Sequence, residues 1–504
     1  MKIGKKILAL TMAFILVFSC VSLSVAAADK KSSYPIIYVP GFMSSDILSD
    51  RNDPDSASYW PIEGDNALSA AALAVPALAK LIIRQDWDEF GAALEPIVKN
   101  FLSGLIYGED GEPLDDSGAY CKYPTKEELR YLDEVTFRYD WRRDPIEVAK
   151  ELDDYINYII KVSGQKKVSL SCHSLGGVIT LTYLTLYGNS KIHGVAFDSA
   201  AIYGESFNGD LFTGKISCEG KGILYNLESM MKGTGLELLV NSFLEILDEA
   251  GLMDALAVLN NELVDKIRPY IYQSLASVFV CWPSIWTMVP DEQIDDAMDY
   301  IFSEIFDKDD PDTQKLIKKV NNYNKKVRSK KEKTLLELDK TSRVMVITRY
   351  GFSSVATTPS WNVHTDGTVD VASSSFGATT AEYGKTLSEE YLMRADEKYI
   401  SPDKTIDAST CLFPEKTWFV RDLMHHKGCG GIDDMIYRFL NGGKEVTVDT
   451  YKEYPRFLKV DEASENLVAD DDYVQMSVPE GDVTDKIVFF AQTLLSTVKG
   501  ILKR

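Results

Sequence analysis

The chain has 504 residues, 45% hydrophobic, 26% charged and 11% aromatic, the mix of a globular protein rather than a disordered, collagenous or disulfide-dense one. Its net charge of −22 argues against a nucleic-acid binder, because a phosphate backbone rewards basic surface. The one long apolar stretch lies at the N-terminus, which excludes a polytopic membrane protein, and five histidines without HExxH-type spacing offer no His-rich metal site.

Lys2, Lys5 and Lys6 precede an uncharged run from Ile7 to Ala28, and Val25-Ala-Ala-Ala28 places small residues before Asp29. Residues 1–28 therefore read as a signal peptide, cleaved to give a secreted or extracytoplasmic protein. An uncleaved anchor is the competing reading, and Cys20 raises a lipoprotein as a third, against which Phe18 is a poor lipobox residue. Six later cysteines (Cys121, Cys172, Cys218, Cys281, Cys411, Cys429) have no CxxC spacing, so neither zinc nor a redox pair is indicated and no bridge is assigned.

The first core segment, 29–204, opens on the apolar run Tyr34–Val39, a buried strand ending at Pro40-Gly41. Residues 46–120 form a lid-like excursion containing an Ala/Leu run at Ala67–Ala79. Glu134–Tyr139 predicts a strand, Pro145–Ser163 an amphipathic helix, Lys167–Cys172 a strand, Gly177–Tyr187 a helix and Gly194–Phe197 a strand. Such alternation means a mostly parallel sheet with helices on both faces, an α/β fold. Residues 205–335 break the rhythm with helical patterns at Leu236–Leu259, Val264–Val278 and Ile294–Ile305, and read as a helical cap insertion. The second core segment, 336–443, brings strands at Arg343–Thr348 and Thr417–Val420 and a helix at Ile432–Leu440. The tail, 444–504, reads as acidic and irregular until an apolar helix at 483–503.

Chemistry concentrates at Ser171-Cys-His-Ser-Leu-Gly-Gly177, between a predicted strand and a predicted helix. A sharp strand–turn–helix bend lifts one side chain above the sheet, which makes Ser174 the candidate nucleophile. Gly176 and Gly177 supply the small neighbours the bend needs, whereas Cys172 stands where the GxSxG pattern has glycine. The bland alternative is a serine cap at a helix start. The helix N-terminus favours negative charge, so the Leu175 N–H is one oxyanion donor. The Phe42 N–H, after Pro40-Gly41, is the second, unless that segment is an ordinary turn. In this fold the order is serine, acid, histidine. Among the five histidines, His425 and His426 follow the last core strand, and His425 is the preferred base. His173 adjoins the serine and is expected to point away. Asp366, in His364-Thr-Asp-Gly-Thr-Val369, is the candidate acid, with Asp370 and Asp198 as rivals.

Several segments in order resemble the lecithin:cholesterol acyltransferase-like α/β-hydrolases, which include lysosomal phospholipases and phospholipid:diacylglycerol acyltransferases. They are Ile36–Gly41, Tyr139-Asp-Trp-Arg142, Cys172–Gly177, Trp282–Pro290 and Asp366–Val369. The resemblance implies Ser174 as nucleophile, Asp366 as acid, the histidine after the last strand as base, and acyl-ester substrates, commonly lipids. The expectation is a secreted serine hydrolase of carboxylic esters acting through an acyl-enzyme, without a cofactor or metal. An O-acyltransferase is the first alternative, and a catalytically silent lipid- or surface-binding protein the second. Two features bear on transient lipid-interface contact: Ala67–Ile83, a lid or a core-packed helix, and Lys315–Lys333, with nine basic residues, an anionic-surface contact or a solvated helix. Trp282 and Trp286 line an acyl pocket or pack beneath it.

Overall fold

The computed structural model describes residues 34–62, 80, 87–232, 236–442, 446–461, 464, 466–471, 473 and 483–501. The expected signal peptide and the Ala67–Ile83 run, apart from Lys80, lie outside them.

Eight strands form the central sheet: β1 (Ile36–Val39), β2 (Glu134–Thr136), β3 (Val168–His173), β4 (Ile192–Asp198), β5 (Arg343–Tyr350), β6 (Thr417–Arg421), β7 (Phe457–Asp461) and β8 (Asn466–Ala469). Their spatial order is β8-β7-β6-β5-β4-β3-β1-β2. All neighbours are parallel except β7 and β8, which pair antiparallel at one edge. This is an α/β architecture with a mostly parallel sheet.

The inner strands β1 and β3–β6 are largely buried because both faces of the sheet are covered there. Val344 and Val346 of β5 join one core with Val195, Phe197, Val178 and Leu181. Met345 and Ile347, one residue out of phase, join a second core with Met435 and Phe439. The period of two thus divides one strand between two layers. The first layer is built on α1 (Pro145–Ser163) and α2 (Leu175–Tyr187). Helix α1 starts at Asp144, whose carboxylate accepts from the Ile146 N–H at 2.9 Å, and it stops at Gly164 in the left-handed region.

The chain leaves the sheet after β4 and returns at β5. The intervening residues are mainly helical, including α3 (Glu237–Glu249) and α4 (Leu252–Leu275). The division differs from the expected one: the break falls at Gly251, at φ 74°, and α4 then runs unbroken past 260–263. A left-handed glycine ends a helix more decisively than a lapse in apolar periodicity. Lys315–Lys333 is not simply solvated. Lys331 pairs with Asp291 at 2.7 Å, and buried Arg328 donates to Asp291, Val289 O and Trp286 O. Trp282 and Trp286 are fully buried, with their indole N–H groups on Leu105 O and Val280 O.

Helix α5 (Gly430–Asn441) lies on the second layer. The tail expected to be irregular instead supplies β7 and β8. Lys459 and Asp461 lie on β7, one strand in from the edge strand β8. The final helix, α6 (Val483–Ile501), packs on α3 through Lys486, which bonds Glu245 and Glu249 at 2.9 and 3.1 Å.

Candidate active site

Parallel strands deliver their following loops to one edge of a sheet, where ligands of such folds bind. At this edge stand the loop after β1, Ser174 after β3, Asp198 at the end of β4, Arg349 near the end of β5 and the 422–429 loop after β6.

Ser174 has φ 56° and ψ −126°, a conformation that costs a non-glycine residue about 1–3 kcal/mol. Its surroundings enforce the bend. A Cβ on Gly176 would lie 2.0 Å from Val39 O, so the start of α2 can pass β1 only without a side chain. A Cβ on Gly177 would meet Ala200 at 2.4 Å, and one on Gly41 would meet the Ser174 Cβ at 2.8 Å and its Oγ at 3.3 Å. The Pro40–Met43 loop therefore runs directly past the Ser174 hydroxyl. It is braced from behind: Tyr139 Oη donates to Pro40 O at 2.7 Å, Trp141 Nε1 to Ser45 O at 3.0 Å and Trp60 Nε1 to Met43 O at 2.8 Å. The Phe42 ring packs edge-on against Trp141, with centroids 4.8 Å apart. Cys172, the departure from GxSxG, is fully buried and donates to Ala196 O.

Asp366 is wholly buried, and its Oδ2 meets His425 Nδ1 at 2.7 Å. Its Oδ1 accepts from the Val369 and Thr368 N–H groups at 2.7 and 3.0 Å, and its carbonyl accepts from the His425 N–H at 2.8 Å. Burial pushes this carboxyl up. The His425 ring, the Val369 N–H and Arg349 outweigh burial and hold it below its ordinary range. The rivals have other partners. Asp370 accepts from Ser206, and burial, with Asp366 nearby, pushes it up to about 7. Glu205 is buried beside both, and burial pushes it well above the carboxylate range. Of these three buried acids, only Asp366 is held below its ordinary range. His426 is exposed, whereas His425 is half-buried.

His173 does not point out of the site. Its ring lies 4.5 Å from that of His425, at 31°, and its Nδ1 meets Asp198 Oδ2 at 3.2 Å. Two Asp–His pairs thus stand side by side. Burial, and next the neighbouring His425, hold the His173 pKa below its usual value. Asp198 is also gripped by Arg349 through Nε at 3.0 Å and Nη2 at 2.6 Å. Burial alone pushes its carboxyl up, but Arg349 and His173 reverse this and hold it well below the usual range. Sequence reasoning missed Arg349, although an arginine inside the buried run Val344–Tyr350 is itself a signal: it needs a buried partner.

Ser174 follows His173 directly, so the residues proposed from sequence as nucleophile, acid and base converge on one edge of the sheet. Phe42 and Leu175 flank the serine, one on the braced loop and one as the first residue of α2. Among the described residues, no group of three or more His, Cys, Asp or Glu side chains is arranged to hold a metal.

No protein-family model matches the sequence, and no curated protein does. A solved structure titled "The crystal structure of Tle4-Tli4 complex" aligns with 36% of this chain at 15% identity and a TM-score of 0.20. The alignment spans about half of that protein, 48% of its length.

Proposed function

We propose that this chain is a secreted serine hydrolase of the α/β-hydrolase fold, cleaving carboxylic esters, with lipid acyl esters as its substrate class. Ser174 Oγ attacks the ester carbonyl carbon. Because His425 Nδ1–H is given to Asp366, Nε2 is left as the acceptor for the serine proton. Asp366 stabilises the imidazolium that results. The N–H groups of Phe42 and Leu175 bind the oxyanion of the tetrahedral intermediate. Its collapse releases the alcohol, which takes the proton back from His425, and leaves an acyl group on Ser174. Water, activated by the same imidazole, then frees the acid. Replacing water by an alcohol as acceptor would use the same residues.

One observation carries this reading: a strained Ser174 at a strand-to-helix bend, next in the chain to a histidine whose ring lies against the Asp366-bound His425. The test is a panel of short nitrophenyl esters, triacylglycerols and phospholipids offered to the purified mature protein. Release of long-chain fatty acid supports the lipid class, and activity confined to short soluble esters narrows the enzyme to an esterase. A folded protein that cleaves none of them sinks the reading.

A further inference from the structure

His425 sits on a loop, and a loop must be held if an imidazole is to stay within a few tenths of an ångström of its working position. The Asp366 contact fixes one ring nitrogen. The backbone of the loop is fixed from below by a single side chain: Arg349 Nη1 donates to Met424 O at 3.2 Å, His425 O at 3.1 Å and Lys427 O at 2.7 Å. The other side of the same guanidinium is occupied by Asp198 through two parallel bonds. Asp198 in turn holds His173, whose ring backs that of His425. The unit is closed, since it runs from the loop backbone to Arg349, Asp198, His173 and the His425 ring.

We propose that Arg349 is a positioning residue for His425, clamping its loop by three carbonyls while Asp198 and His173 fix the guanidinium and back the imidazole. The inference rests on the serine-hydrolase reading for its catalytic consequence, but the clamp itself is independent of it. A guanidinium is needed because its planar fork can serve a carboxylate and several carbonyls at once, which a lysine ammonium cannot.

The test uses Arg349→Lys, Arg349→Met, Asp198→Asn and the Asp198→Asn/Arg349→Met double variant of the full chain. The charged and titratable groups around His425 are Asp366, Asp198, Arg349, His173, His426 and Lys427. Arg349→Lys keeps the charge and loses the fork. It is expected to lower kcat about tenfold to a hundredfold, with KM within twofold and the acid limb of the pH profile unmoved. Arg349→Met removes a positive charge and moves that limb up, whereas Asp198→Asn leaves Arg349 uncompensated and moves it down. The double variant restores the limb without restoring kcat. A purely electrostatic contact would not give the kcat loss of Arg349→Lys with the acid limb unmoved, since that variant keeps the charge and loses only the fork.

Amide hydrogen exchange of residues 424–427 is read in the same proteins, and it does not depend on any substrate. Faster exchange there in Arg349→Lys, with the rest of the chain protected, supports the clamp. This holds even if no ester is turned over, in which case it is the hydrolase reading that fails. If Arg349→Met does not fold, Arg349→Lys carries the test. A folded Arg349→Lys with wild-type kcat and wild-type exchange at 424–427 overturns the proposal.

Discussion

Asp140–Arg142 and Asp198–Arg349 are both buried pairs joined by two parallel bonds, at 2.9 and 2.8 Å in the first and 3.0 and 2.6 Å in the second. Their remaining hydrogen bonds go to different places. Arg142 spends its spare donors on Gly104 O and Ser117 Oγ, and Tyr107 Oη donates to Asp140. That pair ties the 46–120 excursion to the segment after β2, and among the described residues its hydrogen bonds go to no histidine. Arg349 and Asp198 reach two histidines and the loop carrying one of them. A buried ion pair is a weak source of net stability but a precise positional constraint. What distinguishes the two is therefore what each constrains: a wall in one case, the candidate base in the other.

The largest expected effect comes from Asp366→Asn. It preserves shape but removes the charge that orients His425, and kcat should fall by about 10³–10⁴, measured on the best ester of the panel. Next comes Arg142→Met, which strands the Asp140 carboxylate. It should cost about 3–5 kcal/mol of stability in denaturant unfolding, with kcat of the folded fraction unchanged. A large kcat loss in that variant would erase the distinction between the two pairs.

A smaller effect, of opposite sign, is expected at Asp370. Its folded pKa is raised from 3.8 to about 7, so the stability linked to it is full below pH 4 and is lost as pH rises through 7. Asp370→Asn should gain about 1–3 kcal/mol at pH 8 and almost nothing at pH 4, read from Tm at the two pH values. Asp366 and Asp198 behave in reverse. Their folded pKa values lie below 3.8, so their contribution is full above about pH 4 and drains as pH falls through the lowered values. Acid titration of Asp198→Asn should flatten that drain, and an unchanged acid limb of stability would count against the Asp198–Arg349 grip.

Much of the fold was legible because the inner strands are apolar on both faces and the helices between them keep one period. Helix α1 matches its expected span because Asp144 and Gly164 mark both ends. The edge pair β7 and β8 was hidden: five residues with two charges look like loop until a neighbouring strand supplies the pairing. The break between α3 and α4 was misplaced because periodicity counts apolar positions and does not see a left-handed glycine. At the site, Ser174, Asp366 and His425 could be proposed from spacing and chain order. The Asp198–Arg349–His173 unit could not, since it joins residues from three strands that only the sheet order makes neighbours. His173, set aside as the neighbour of the serine, could not be placed against His425 from the chain alone, since that contact is made with the loop after β6.

The central claim is that Ser174 is an activated nucleophile, and a fluorophosphonate probe with mass-spectrometric mapping tests it directly. The account predicts one phosphonylated residue, Ser174, with labelling abolished in Ser174→Ala and greatly slowed in Asp366→Asn. A folded wild-type protein that takes no adduct, or takes it on another serine, would contradict it.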